Sequence, residues 1–321
     1  MADFRFCKTA AAAAVALVMC SCSAKNGTTE NSGFFFDTYS HMNACGSNSE
    51  TAMEALTQKF TELDAAFSLC YTTTARLLPD NKAYSDCLGK SRALSDKYGS
   101  GIDVTCGELT AVWGISTDNP RVPSESEILE ALTSISADDS FAETTMLDFG
   151  AVAKGYACDE AYELLKTTYT EYATVSLGSS TLLYGAKPNG KFRAGIINPD
   201  KNEGYLGIIE TDAAFISTSG GYERFFEADG KRYSHILNME TGYPAETDLT
   251  SVTVIIPADT EDGGIMSDFL STLIYIQGSE QLDKWLACEE FELVAADVNG
   301  NVHTDCGGFK LDENSGYTYG K

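Results

Sequence analysis

The sequence has 321 residues, of which 47 are acidic and 22 are basic, so its formal net charge is −25 at pH 7. Aromatic residues make up 11%, which is typical of a folded protein and excludes a disordered acidic tail. The charge argues against a protein that mainly binds nucleic acid or anionic lipid, because both tasks need a basic surface. An anionic ligand would need local help from a metal ion, a helix N-terminus or a well-placed lysine.

Residues 1–21 resemble the signal peptide of a bacterial lipoprotein. An apolar run over residues 9–19 follows two basic residues and is too short for a permanent membrane span. Because Ser21 is small, we predict lipidation at Cys22, with Cys20 and an ordinary secretory signal as alternatives. Removal of one acidic and two basic residues with the signal changes the net charge from −25 to −26. The expected location is the bacterial cell envelope, anchored by lipid on the extracytoplasmic side.

The polar residues 22–32 are predicted to be a tether, and residues 33–321 one large domain. Helices are expected over residues 50–68, after Pro123, over 154–165 and over 268–276, from helical spacing of apolar residues and a Ser124–Glu127 capping box. Short β-branched or aromatic runs predict strands at 174–177, 193–197, 207–210, 252–256 and 292–296. The interleaving of strands and helices predicts an α/β fold, with α+β as the alternative.

A phosphate-binding helix start is indicated at residues 148–156, which read DFGAVAKGY. Small residues and glycines precede Lys154 where a helix should begin, and helix N-terminal amides favour anions. Asp148 precedes the turn and would accept hydrogen bonds from a base or sugar. The alternative is an ordinary strand-to-helix turn with a solvated lysine, since the spacing of a Walker A loop is absent.

A cation site is indicated at residues 267–272, which read SDFLST. Asp268 and Thr272 are four residues apart and share a helix face, and a carboxylate with a hydroxyl suits Mg²⁺. The alternative is that Asp268 only caps the helix. His235, one of three histidines, lies at the end of an expected strand and is either functional or a core residue.

Five segments in this order resemble the ApbE family of FAD:protein FMN transferases, over about residues 33–310. They are GIDVTCGELTAVWG at 101–114, DFGAVAKGY at 148–156, TSGGYE at 218–223, HILNMETGYP at 235–244 and SDFLST at 267–272. Asn238, Met239, Ser234, Ser179 and residues 73–81 depart from the family pattern. None of these departures removes a proposed metal ligand or Lys154.

The resemblance implies a single cleft for FAD and Mg²⁺. The implied metal ligands are Asp268, Thr272, the carbonyl of Ala151 and, as a further candidate, Ser271. The implied flavin-binding residues are Phe36, Thr38, Gly101, Ile102, Asp103, Asp148, Lys154, His235 and Ile236. The implied catalytic residues are Asp268, which would act through the metal, and His235. The general base would be either His235 or a carboxylate near the metal.

The reaction implied by the resemblance is phosphoryl transfer. A Thr or Ser hydroxyl of an acceptor protein, by family analogy an envelope redox subunit, would attack the FMN phosphorus of FAD and AMP would leave. Two alternatives remain at this point. The first is an Mg²⁺-dependent FAD pyrophosphatase, and the second is a lipid-anchored protein that binds FAD without turnover.

Overall fold

The computed structural model describes residues 27–70, 82–99, 101–135, 145–188, 190–200 and 204–320. The predicted signal peptide, Cys22 and residues 73–81 lie outside that part of the chain. Among the described residues, no helix combines the length and the apolar character needed to cross a membrane.

A nine-stranded sheet forms the centre of the molecule. Its spatial order is β1 (Thr28–Phe35), β2 (Thr38–Cys45), β3 (Tyr172–Leu177), β4 (Ser180–Gly185), β7 (Ala214–Ser219), β10 (Leu249–Pro257), β11 (Glu292–Asp297), β12 (Asn301–Thr304) and β14 (Thr318–Tyr319). Neighbouring strands are antiparallel except for β12 and β14. A second sheet contains β5 (Phe192–Ile197), β6 (Tyr205–Thr211) and β13 (Phe309–Leu311), and β8 (Phe225–Ala228) pairs with β9 (Lys231–Ser234).

Seven α-helices are found in the described residues. They are α1 (Ser49–Cys70), α2 (Lys82–Tyr98), α3 (Gly107–Trp113), α4 (Glu125–Thr133), α5 (Ala153–Thr167), α6 (Gly263–Gln277) and α7 (Leu282–Leu286). The predicted combination of helices and strands in one domain is confirmed. Within it, the almost entirely antiparallel central sheet is the arrangement that the α+β alternative describes. All four predicted helices and all five predicted strands are present, and Ser124 and Glu127 form the predicted capping box.

The central sheet is buried on both faces. Val252, Val254 and Ile256 of β10 pack into the core shared with α1, α5 and α6, whereas Ile255 packs into the core shared with the second sheet. Such double burial explains why the strand is a nearly continuous apolar run in the sequence. It also places α5 and α6 side by side on one face, where the candidate site lies.

The predicted end of the tether at residue 32 is wrong. Residues 28–32 belong to strand β1, at the edge of the central sheet, and alternate between exposed and half-buried positions. Their polar composition hid the strand, because an edge strand needs few apolar residues. One polar side chain on the covered side, Asn31, donates a 2.9 Å hydrogen bond to the Thr57 hydroxyl of α1.

Candidate active site

Helices α5 and α6 approach each other closely at two glycines. A Cβ atom at Gly155 would collide with the carbonyl oxygen of Gly264, and a Cβ at Gly264 would collide with that of Gly155. The carboxylate of Asp159 on α5 accepts 2.7 and 2.8 Å hydrogen bonds from the N–H groups of Gly264 and Ile265. These bonds cap α6 from a neighbouring helix, so α6 begins five residues before the predicted start at residue 268.

The predicted metal ligand Asp268 lies at this crossing and is 2% exposed. Its Oδ2 accepts a 2.9 Å hydrogen bond from the N–H of Gly155, and its Oδ1 accepts one of 3.1 Å from the Ser180 hydroxyl. Nζ of Lys154 lies 3.8 Å from Oδ2. Burial raises the pKa of Asp268, and the charge of Lys154 and these hydrogen bonds oppose that rise.

The hydroxyls of Ser271 and Thr272 lie on the same face of α6 as Asp268. Both donate to the Asp268 carbonyl, over 3.0 and 3.2 Å, and both contact the Ser219 hydroxyl of β7, over 2.8 and 2.9 Å. Ser271 is fully buried, whereas Thr272 is half-buried. Ala151 is half-buried in the turn that leads into α5.

These groups suit a hard divalent cation. A carboxylate has about four acceptor positions, so Asp268 keeps lone pairs beyond the two hydrogen bonds from Gly155 and Ser180. Thr272 donates its proton to the Asp268 carbonyl and keeps at least one lone pair beyond its contact with Ser219. Because no group of three His, Cys, Asp or Glu side chains with metal-binding geometry occurs in the described residues, hydroxyl, carbonyl and ligand oxygens would have to complete the shell.

The DFGAVAKGY segment forms the turn and first residues of α5, as predicted. Oδ1 of Asp148 accepts a 2.7 Å hydrogen bond from the N–H of Gly150, and Oδ2 accepts one of 2.6 Å from the Thr110 hydroxyl. Lys154 is in the first turn of the helix, with its side chain 18% exposed. The Asp148 carboxylate therefore fixes the turn, and its predicted flavin contact remains a prediction.

The segment that contains Gly101, Ile102 and Asp103 lies between α6 and the 148 turn. A Cβ at Gly101 would lie 2.5 Å from Cδ1 of Leu273, which shows how closely the segment approaches α6. Oδ1 of Asp103 accepts hydrogen bonds of 2.8 and 2.7 Å from the N–H and hydroxyl of Thr105. Ile102 is buried. The structure thus places this segment against α6, and its predicted flavin contacts remain predictions.

His235 follows β9 directly, as predicted. Its N–H and its Nδ1 lie 3.0 and 3.1 Å from the carbonyl oxygen of Arg224. A carbonyl only accepts, so Nδ1 carries the proton and Nε2 keeps its lone pair. Burial, assisted by the Arg224 charge, lowers the pKa of His235 to about 4, so the ring is neutral at pH 7. Ile236 is buried beside it.

The departure from the family pattern at Asn238 has a structural role. Its Oδ1 accepts 2.8 and 3.1 Å hydrogen bonds from the N–H groups of Glu240 and Thr241, which close the turn after His235. The side chain of Trp113 donates a 2.8 Å hydrogen bond to the carbonyl of Gly242 in the same turn.

Phe36 and Thr38 lie in and directly after the turn between β1 and β2. Thr38 is buried against Gly178, where a Cβ would lie 2.5 Å from the threonine hydroxyl oxygen. Arg224 donates a 2.8 Å hydrogen bond to the carbonyl of Asp37 in that turn. Because the Arg224 carbonyl also accepts from His235, this residue connects the turn to the His235 segment.

Glu223 was not among the predicted site residues. Its Oε1 is shielded from solvent and has no hydrogen-bond partner among the residues that the structure describes. Burial raises the pKa of Glu223 to about 7, against the charges of Lys154 and Arg224. It is the last residue of the TSGGYE segment, so the motif already contained it. Ser219, which contacts Ser271 and Thr272, lies in the same TSGGYE segment, whereas Ser180, which contacts Asp268, carried no comparable sequence signal.

A buried carboxylate and hydroxyl thus lie next to a lysine at a helix N-terminus, an arrangement that suits a cation and a phosphorylated ligand. The family model of the ApbE family matches residues 36–295 of this chain. The chain therefore belongs to the ApbE family.

Two curated relatives illustrate the relationship. The FAD:protein FMN transferase of Salmonella typhimurium is 28% identical over 301 residues, which are 81% of this chain and 86% of that protein. The FAD:protein FMN transferase of Treponema pallidum is 30% identical over 234 residues, or 65% of this chain. That match covers 63% of the treponemal protein, less than two thirds of its length.

Solved structures share the fold. The ApbE protein of Thermotoga maritima superposes with a TM-score of 0.73 and 25% identity, over 89% of this chain and 97% of that one. The flavinyl transferase ApbE of Pseudomonas stutzeri gives a TM-score of 0.70 and 23% identity, over 86% of this chain and 93% of that one.

Proposed function

We propose that this chain transfers FMN from FAD to a Thr or Ser hydroxyl of an acceptor protein, with Mg²⁺, and releases AMP. The observation that carries the proposal is the position of Asp268, buried at the α5–α6 crossing and 3.8 Å from Lys154. The names of the curated relatives, FAD:protein FMN transferase, support the choice of substrate.

In this proposal Asp268, Thr272 and the carbonyl of Ala151 hold Mg²⁺, with Ser271 as a further candidate. The ion would neutralise charge on the FAD pyrophosphate as its anhydride bond breaks. Lys154 and the first amides of α5 supply the protein's own positive potential for the phosphates. Local attraction of this kind is needed because the chain as a whole carries a net charge of −25.

The acceptor hydroxyl forms a new O–P bond to the FMN phosphate, and the P–O bond to AMP breaks. The hydroxyl proton needs an acceptor, and Nε2 of His235 is unprotonated because the pKa of this histidine is about 4. Glu223 is the alternative carboxylate, since its Oε1 has no partner in the described part of the chain. The Arg224 carbonyl holds the His235 tautomer that leaves Nε2 available.

The proposal is tested by incubating the chain with FAD, Mg²⁺ and an envelope redox subunit as candidate acceptor. AMP is measured by chromatography, and covalent flavin by acid-stable fluorescence and the mass of the acceptor. We expect both products, and expect both to disappear with EDTA. AMP without covalent flavin would indicate a pyrophosphatase, and bound FAD with neither product would indicate a binding protein.

We also propose that the mature chain is anchored by lipid at Cys22 on the extracytoplasmic side of the envelope, where an envelope acceptor is accessible. Cys22→Ala should either release the protein from the membrane fraction into the soluble fraction or leave its signal peptide uncleaved. Cys20→Ala is the matched control and should leave fractionation unchanged. The reverse result would place the lipid at Cys20.

A further inference from the structure

The hairpin turn between β1 and β2 has an unusual sequence for its conformation. Phe35 pairs with Thr38, which leaves Phe36 and Asp37 as the two central residues, and their φ angles are 53° and 54°. Positive φ at both positions is the type I′ geometry, which strongly favours Asn-Gly. A bulky residue such as Phe36 is disfavoured there because its Cβ crowds the backbone. The turn therefore needs support from outside.

Two contacts supply that support. The N–H of Phe36 donates a 2.8 Å hydrogen bond to Oδ1 of Asp64 on α1. The guanidinium of Arg224, from the segment between β7 and β8, donates a 2.8 Å hydrogen bond to the carbonyl of Asp37. The Phe36 ring also packs 6.5 Å from the ring of Phe60. Strained backbone persists where surrounding contacts over-determine it, and such places concentrate at functional sites.

Arg224 has a second connection through its own backbone. Its carbonyl oxygen accepts from both the N–H and Nδ1 of His235, over 3.0 and 3.1 Å. One residue thus contacts the turn with its side chain and His235 with its main chain. A shift of the Arg224 segment would move the hairpin tip and the imidazole relative to each other.

We propose that Arg224 is a positioning residue that clamps the strained β1–β2 turn against the His235 segment, and so holds Phe36 and Thr38 at the rim of the ligand site. That Phe36 and Thr38 border the ligand site, and that the ligand is FAD, rest on the proposed function, whereas the clamp itself rests on the contacts of Arg224. Loss of the guanidinium would let the turn relax away from the type I′ geometry.

The clamp is tested by a double-mutant cycle in thermal unfolding, which does not depend on activity. Arg224→Ala should lower the Tm by about 3 °C. Asp37→Gly removes one Cβ that disfavours the turn. In the Asp37→Gly background, Arg224→Ala should therefore lower the Tm by about 1 °C or less. Asp37→Asn removes the same charge but keeps the Cβ, and should not reduce the cost. Equal losses in the Asp37→Gly and wild-type backgrounds would overturn the clamp.

A ligand readout separates positioning from stability alone. Arg224→Ala should weaken FAD binding about tenfold, as measured by quenching of flavin fluorescence, and Arg224→Lys should retain more affinity because it keeps one donor. Combination with Asp37→Gly should restore most of the affinity. Arg232→Ala, which removes an exposed positive charge on β9, is the control and should have little effect.

If Arg224→Ala and Asp37→Gly are coupled in thermal unfolding but Arg224→Ala does not change the affinity for FAD, the positioning role is wrong and Arg224 is a structural residue. If the wild type bound no FAD, the proposed function would fail. The unfolding cycle would still decide whether the clamp exists.

Discussion

The N–H of Gly155, in the first turn of α5, donates a 2.9 Å hydrogen bond to Oδ2 of Asp268 on α6. The same glycine meets Gly264 at the closest approach of the two helices. The location of the buried carboxylate is therefore set by the distance between α5 and α6.

A methyl group at the crossing should separate the helices. Gly155→Ala places a Cβ against the Gly264 carbonyl and 2.7 Å from Cβ of Asp268. We expect a loss of about 2–3 kcal/mol in the free energy of unfolding, typical of overpacking, and a larger relative loss of AMP release. Urea denaturation and the turnover assay measure the two effects.

Gly89→Ala is the matched control for that substitution. Gly89 lies within α2, and a Cβ there would meet nothing within 4 Å. Alanine should stabilise the helix by about 0.5–1 kcal/mol. The close-packing explanation is wrong if both alanine variants change stability in the same direction.

The carboxylate charge of Asp268 should be essential for turnover. Asp268→Asn keeps the shape and one acceptor oxygen but loses the charge that attracts a cation, so AMP release should fall by about 100- to 1000-fold. Calorimetry should show weaker Mg²⁺ binding. The exposed Asp96→Asn on α2 changes the net charge equally and should be neutral. Unaltered Mg²⁺ binding by Asp268→Asn would refute the ligand assignment.

His235→Gln should affect the chemical step more than FAD binding. We expect kcat to fall by about 100-fold, with the KM for FAD little changed, because a general base acts in the transition state. Since the pKa of His235 is about 4, the wild-type rate should show no acid limb near pH 6.5 from this residue. An acid limb near pH 6.5 that the substitution abolishes would contradict a neutral imidazole.

Glu223 should make stability depend on pH. Its pKa in the folded protein is raised to about 7, above the ordinary value of 4.5, so its stabilising contribution is complete below pH 4.5 and is lost as pH rises towards 7. Glu223→Gln, which mimics the protonated acid, should match the wild type at pH 4 and be more stable at pH 8, by on the order of 2 kcal/mol.

Denaturant unfolding at the two pH values checks this expectation. The exposed Glu289→Gln is the control for the loss of one negative charge. A stability difference that is the same at both pH values would mean that the Glu223 carboxyl is not shifted.

Local patterns predicted four of the seven helices and five of the fourteen strands in the described residues, where the forces that determine an element are local. The Ser124–Glu127 capping box and the apolar run of β10 each determine their own element. The polar edge strand at residues 28–32 was missed because its residues are exposed or half-buried and therefore carry no apolar pattern. The start of α6 was missed because Asp159, which caps it, comes from a helix about 100 residues earlier.

Part of the candidate site could be predicted because it too depends on local spacing in the sequence. The spacing of Asp268 and Thr272 fixes their common helix face, and the structure retains it. Apart from Asp148 and Lys154, the predicted flavin-binding residues came from the family resemblance rather than from spacing. Ser219 lies in the TSGGYE segment, but its contacts with α6, like those of Ser180 and Arg224, join parts of the chain that are distant in sequence, so no local pattern could reveal them.

The most direct test of the account measures AMP and acceptor-bound FMN in the same reaction, with FAD and Mg²⁺ in excess. Transfer joins the formation of one bond to the breaking of another, so the two products should appear in equal molar amounts and both should be lost in Asp268→Asn. AMP formed with no flavin on the acceptor, or covalent flavin formed at the wild-type rate by Asp268→Asn, would contradict it.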